Sequence, residues 1–182
     1  MKVLTVNINR CKLKAKGFKK PYYAYTNRWQ SKESNTDMSS GYKINKEIKV
    51  KAHKSEVWKA LTTPELITHY LMGAHVLSDW KVGSKIVYQG NFNGIDFRDE
   101  GIIDILDFER RYQYSYWRKN HGTENKPENY VSISYMIMDD NDGVIIKLTQ
   151  SNYKSEKIAK SMEYIWDLIL GNLKRFLENK QA

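Results

Sequence analysis

Hydrophobic and polar positions follow two rhythms along this chain, and each change of rhythm marks a new element. From Tyr42 to Lys51, Ile44, Ile48 and Val50 fall on one side and Asn45, Glu47, Lys49 and Lys51 on the other, the two-residue repeat of a half-buried strand. The period then lengthens. The segment SEVWKALTT puts Val57, Trp58 and Leu61 on one helical face, with Ser55 as the expected cap, and Thr63-Pro64-Glu65 opens a second short helix, PELITHYLM. Strand-like segments follow at Lys85–Gln89, Asp99–Phe108, Arg111–Arg118, Tyr130–Met138 and Val144–Thr149, with turn formers such as Asn93-Gly94 and Asn141-Asp142-Gly143 between them.

The longest periodic stretch is the last, Ser155 to Lys180. Ile158, Met162, Ile165, Trp166, Ile169, Leu170, Leu173, Phe176 and Leu177 recur every three or four residues, so a helix here carries one broad apolar stripe. Ser155 is positioned to cap it, and Glu156 at its start with Lys174 and Lys180 at its end suit the helix dipole. A helix of about 25 residues is about 37 Å long and needs a sheet to lie across. Gly171 interrupts the stripe and has two readings, close packing against a bulky neighbour or room beside a ligand cavity. One strand, two short helices, a run of hairpins and a long helix make an α+β pattern, in which the final helix covers a curved antiparallel sheet and encloses a pocket.

Charge divides the chain in two. The net charge of +9 is carried mostly by residues 1–40, which hold nine Lys or Arg against Glu33 and Asp37 (+7), leaving +2 for residues 41–182. The expected organisation is therefore a basic, poorly ordered extension over 1–40 and one folded domain over 41–182. Met38 opens a credible domain start of its own. Basic residues interleaved with Tyr22, Tyr23, Tyr25 and Trp29 suit single-stranded nucleic acid, so that any such partner falls to the extension and not to the domain. The single cysteine, Cys11, rules out an internal disulfide. With no run of about 18 apolar residues and no apolar signal core, the expectation is no membrane partner and a cytoplasmic location.

Candidate chemistry is sparse. The sequence contains no HExxH, nucleophile elbow, phosphate-binding glycine loop or cysteine cluster, and His53, His69, His75 and His121 lack ligand-like spacing, so no metal or cofactor is expected. His69, with His75, flanks the exit of the second short helix. Among Asp96, Asp99, Glu100, Asp104 and Asp107, Asp104 shares strand parity with Ile102, Leu106 and Phe108, which makes it the carboxylate to look for in an apolar pocket as a general base. Tyr112, Tyr114 and Tyr116 share one face of a strand with Trp117 on the other; Tyr88, Tyr130, Tyr135 and Trp166 add further amphipathic rings. Such rings either wall a cavity for a sterol-, flavonoid- or lipid-like guest or simply fill the core.

Several segments carry a resemblance: VWKALTTPELITHYLMG, WKVGSKIVYQGNFNG, RDEGIIDILDFERRYQYSYW, YVSISYMIMDDNDGVIIKLTQ and YIWDLILGNLKRFLE. In this order they resemble the activator of heat shock protein 90 ATPase homologues, within the helix-grip superfamily that also holds START domains, pollen allergens and polyketide cyclases. Trp58 and Leu61, Thr63-Pro64-Glu65, Val82-Gly83, Gly101 and Arg110-Arg111 match family elements, while Ser84, Tyr70 and Ile165-Trp166 depart from them. The resemblance implies a helix-grip, START-like fold and a non-enzymatic module that binds a small hydrophobic ligand under the C-terminal helix. The residues expected at that ligand are Tyr88, Tyr112, Tyr114, Tyr116, Trp166, Asp104 and His69. Two further functions stay open: a co-chaperone contacting a heat shock ATPase, and a cyclase or aromatase. The expected state is monomer or homodimer.

Overall fold

The computed structural model describes residues 41–92, 94–118 and 122–179; the expectations for the basic extension lie outside the described residues. Strand β1 (Tyr42–Val50) leads into helices α1 (Lys54–Thr62) and α2 (Pro64–Tyr70). Six strands follow, β2 (His75–Ser78), β3 (Lys85–Phe92), β4 (Ile95–Asp107), β5 (Arg111–Trp117), β6 (Val131–Asp140) and β7 (Gly143–Tyr153), before helix α3 (Glu156–Asn179). They form one curved sheet in the order β1-β7-β6-β5-β4-β3-β2, and every neighbouring pair is antiparallel. The first strand thus pairs with the last, and the two short helices carry the chain from one edge of the sheet to the other.

The elements form where the patterning puts them, with differences at their ends: α2 stops at Tyr70, two residues short of its expected span, and β6 runs on to Asp140. Helix α1 is capped two residues earlier than expected: His53 is its N-cap, held by Glu56, whose carboxylate accepts the His53 backbone N–H at 2.9 Å, so Ser55 sits inside the first turn. Strand β2 is an addition, too short to show a period, and its pairing with β3 supplies the second edge of the sheet. Strands β3, β4 and β7 extend beyond the expected limits, because hairpin pairing continues through polar residues such as Asn91–Asp96.

Helix α3 lies over the sheet's inner face with the stripe inward. Ala159, Trp166, Ile169, Leu170, Leu173 and Leu177 are buried, and Ile158, Met162, Ile165 and Phe176 pack at the margin. Each fully buried large apolar side chain stabilises by about 1.5–3 kcal/mol before entropy, so this helix supplies a large share of the core. Polar contacts fix its register on β1. Lys46 pairs with Asp167 at 2.9 Å, Lys174 donates to the Lys49 carbonyl at 2.7 Å, and Glu178 accepts the Lys51 amide at 3.1 Å. The last two contacts cover part of the free edge of β1, where unpaired backbone groups would otherwise face solvent.

Candidate functional site

The alternation in β5 puts Tyr112, Tyr114 and Tyr116 on the inner face, all buried, while Gln113, Ser115 and Trp117 face outward. Tyr88 joins them from β3, Tyr135 from β6 and Trp166 from α3. Ring centroids lie 5.2 Å apart for Tyr88–Tyr114 and for Tyr112–Tyr114, 6.0 Å for Tyr112–Tyr135, 6.3 Å for Tyr114–Tyr116 and 6.1 Å for Tyr135–Trp166. Tyr88 and Tyr114 meet across β4 because the inner-face residue between them is Gly101, at a close approach where a Cβ would stand 2.0 Å from the Ser115 carbonyl oxygen. Five of the expected residues, Tyr88, Tyr112, Tyr114, Tyr116 and Trp166, are therefore brought into one aromatic layer, to which Tyr135 belongs as well.

The hydroxyls of this layer are turned inside. Those of Tyr88 and Tyr112 share a hydrogen bond at 2.9 Å. Burial pushes the phenols of Tyr70, Tyr88, Tyr112, Tyr114 and Tyr135 above the ordinary tyrosine range, and for all but Tyr70 neighbouring phenols reinforce the shift. Tyr116 is raised to about 12, chiefly by burial and against the pull of Arg118. All are neutral hydroxyls near neutral pH.

One polar hub that the sequence analysis passed over holds the layer to the helix. Gln150, fully buried on β7, donates through Nε2 to the Tyr116 hydroxyl at 3.1 Å and accepts the Trp166 indole N–H on Oε1. The indole can only donate, which fixes the amide's orientation. Gln150 continues the inward parity of Val144, Ile146 and Leu148, and that was the available signal. Nearby, buried Asp99 accepts both Nε and Nη2 of Arg118, whose guanidinium lies 5.7 Å from the centre of the Phe97 ring.

Asp104 and His69 are not part of this layer. A bulge between Ile103 and Ile105 resets the parity of β4: Ile103 points inward opposite Tyr114, Leu106 points inward opposite Tyr112, and Asp104 is turned to the outer face. There Ser115 Oγ approaches it at 3.5 Å, and burial lifts its carboxyl to about 6, opposed by hydrogen bonds from Gln113 and Ser115. His69 is exposed at the end of α2, its ring stacked on Phe176 at 5.1 Å and 12°. Tyr130 is also outside the layer, its hydroxyl donating to Asn125 at 2.9 Å.

Beneath α3, where the hollow was expected, the tyrosine rings pack on one another and Tyr135 on Trp166. Two depressions of the described residues lie elsewhere. One, of about 510 Å³, runs beside Pro64, Glu65, Leu77, Asp79, Lys85 and Val87; the other, of about 390 Å³, lies between His53-Lys54 and the β6–β7 turn. Both are open, and neither reaches the tyrosines. No group of His, Cys, Asp and Glu among the described residues is arranged to hold a metal.

Comparison with known proteins adds lineage to this geometry. The family described as Activator of Hsp90 ATPase homolog 1-like protein matches residues 51–178, most of the chain. The chain belongs to that family. Among solved structures, the family fold is shared with ChR145 from Cytophaga hutchinsonii at 37% identity over 76% of this chain and 95% of that one, with a TM-score of 0.66. The Aha1 dimer from Colwellia psychrerythraea is similar at 23% identity over 75% and 96%, TM-score 0.60. CalU16 from Micromonospora echinospora is similar at 22% over 78% of each chain, TM-score 0.57. At these last two identities the likeness is one of fold. No curated protein sequence matches the chain. No helix among the described residues is long and apolar enough to cross a membrane.

Proposed function

We propose that this family member is a non-enzymatic binding module for a small hydrophobic molecule, taken between the tyrosine layer and α3. The observation that carries the reading is the concentration of buried phenols, Tyr88, Tyr112, Tyr114, Tyr116 and Tyr135 on the inner face and Tyr70 on α2, each at most 7% exposed. Leu or Phe would fill the same volume without placing hydroxyls in a dry core, where each needs a partner. A guest with flat apolar faces exchanges ring–ring contacts for ring–guest contacts and gives the hydroxyls something to orient. Space at Gly171, where a Cβ would meet nothing within 4 Å, favours a helix that can adjust as the layer parts.

Native mass spectrometry of the purified protein tests this, with two-dimensional NMR during addition of flavone as the second measurement. A copurifying mass, or saturable shifts at the inner-face tyrosines and Trp166, is the expected result. No bound mass together with an unperturbed spectrum refutes the proposal.

A second reading, contact with a heat shock ATPase, is favoured by the family's description and by the likeness to the Colwellia Aha1 dimer. Stimulation of ATP turnover by purified Hsp90 on adding this protein is its test, and an unchanged rate rejects it. The cyclase reading is weaker on geometric grounds: Asp104 faces outward, and the inner-face carboxylate Asp99 is engaged by Arg118.

A further inference from the structure

Trp80 stands at the border of the tyrosine layer, in the loop between β2 and β3. Its ring packs on Tyr112, centroids 5.9 Å apart and planes at 46°. The backbone at Trp80 has φ +51, a left-handed conformation that bulky L residues rarely adopt. The indole Nε1 is buried and reaches no hydrogen-bond partner among the described residues. A strained backbone and an unsatisfied buried donor each oppose folding, and the two coincide on one residue.

The surrounding loop holds Trp80 in this state. Ser78 Oγ accepts the Trp80 amide at 3.1 Å and lies 3.3 Å from Ser84 Oγ. Ser84 Oγ donates to the Lys81 carbonyl at 2.7 Å and accepts the Lys81 amide at 3.2 Å. Gly83, at φ +84, donates to the Ile103 carbonyl at 2.8 Å, and the Ile103 amide returns a bond to Ser84 at 3.0 Å. The end of the loop is thus laced to Ile103 of β4 by two backbone bonds. Ser84 supplies two of these bonds, both to Lys81, through its hydroxyl. A loop bonded this thoroughly can sustain strain that the chain would otherwise relax.

We propose that the indole N–H of Trp80 is the hydrogen-bond donor for the guest, and that the guest is a flat aromatic molecule bearing a carbonyl or equivalent acceptor oxygen. This rests on the ligand-binding reading above and specifies its chemical class. Indole has a donor and no acceptor, so it selects an acceptor on the guest. The adjacent Tyr112 and Tyr88 rings select a planar apolar body. An aliphatic acid or a neutral hydrocarbon satisfies only one of the two demands.

The test uses fluorenone and fluorene, tricycles differing by one carbonyl oxygen, with the full chain and its Trp80→Phe variant, which keeps the ring against Tyr112 and removes the N–H. Calorimetric titration is expected to give wild-type protein an about five- to tenfold preference for fluorenone, the worth of one hydrogen bond. In Trp80→Phe the preference for fluorenone over fluorene falls to within about twofold, as a lost hydrogen bond requires. A second measurement does not depend on the variant's stability beyond assigning one peak. The chain has five tryptophans, and the indole N–H resonance missing from Trp80→Phe identifies Trp80. In wild-type protein that proton moves downfield with fluorenone and not with fluorene. Equal preference in both proteins, or an indole proton indifferent to fluorenone while it binds, overturns the assignment of Trp80 alone and leaves the binding module standing. Failure of both compounds to bind, with no copurifying mass, overturns both.

Discussion

Replacing Gly171 with Ala tests how α3 sits on the sheet. Glycine in a helix interior is less favourable than alanine by about 0.8–1 kcal/mol, because the unfolded chain at glycine has more conformations to lose. Whether the substitution realises that gain depends on what the new methyl group meets. At Gly171 a Cβ finds nothing within 4 Å beyond the helix's own backbone, although Leu170 beside it and Leu173 two residues on are buried. No overpacking offsets the gain, so Gly171→Ala should stabilise the protein by about 1 kcal/mol. With an unfolding entropy of about 2.1 cal/mol/K per residue over about 140 residues, that corresponds to a rise in Tm of about 3 °C. Reversible thermal unfolding followed by circular dichroism measures it, and a urea midpoint shifted upward with unchanged slope checks that the folded state is the same. A fall in Tm would mean that the site is filled, and the reading of Gly171 as room would be wrong.

Three more substitutions have definite expectations. Asp104 has its carboxyl raised to about 6 from 3.8, so the folded state holds its proton more tightly and stability falls as pH rises through that window; Asp104→Asn should stabilise by up to about 3 kcal/mol at pH 7 and by nothing below pH 3.8. Parallel stability curves for the two proteins from pH 3 to 7 would contradict this. Gln150→Leu strands the Trp166 N–H and takes the amide donor from the Tyr116 hydroxyl, and should destabilise by about 2–4 kcal/mol in urea unfolding; adding Trp166→Phe should cost less than the sum of the single changes, and strict additivity would argue against the hub. Gly101→Ala drives a methyl group to 2.0 Å from a carbonyl of the partner strand and should destabilise by about 3 kcal/mol, with weakened near-ultraviolet circular dichroism from the displaced tyrosines; an unchanged Tm would show that β4 and β5 are not held this close.

What could be read from the chain alone was whatever local periodicity governs. Tyr112, Tyr114 and Tyr116 share a face because β5 is a regular strand, and Trp166 faces them because it lies on the stripe of a regular helix. Asp104 keeps the parity of Ile102, which faces outward, while the bulge after Ile103 turns Ile105 to that same side and Leu106 inward, so the expected match of Asp104 with Leu106 does not survive it. His69 is governed by a partner far along the chain, Phe176, which local spacing cannot reveal. Gln150 lies one residue beyond the expected end of β7 and its partner Trp166 arrives from another element, although its parity with Leu148 points inward. Trp80 lies in a loop, where its conformation comes from bonds of Ser78, Ser84 and Gly83 that have no sequence period at all.

Because β1 pairs with β7 and α3 closes over both, the first of the described strands waits for the last strand before it has a neighbour, and for the helix after that before it is covered. Until then β2 to β6 can zip only as hairpins, with their tyrosine-bearing surface bare and no lid to cover it. Loss of even the last two turns of α3 would therefore act less like trimming a terminus than like halting assembly one step before closure, leaving a nascent chain that chaperones bind and proteases clear.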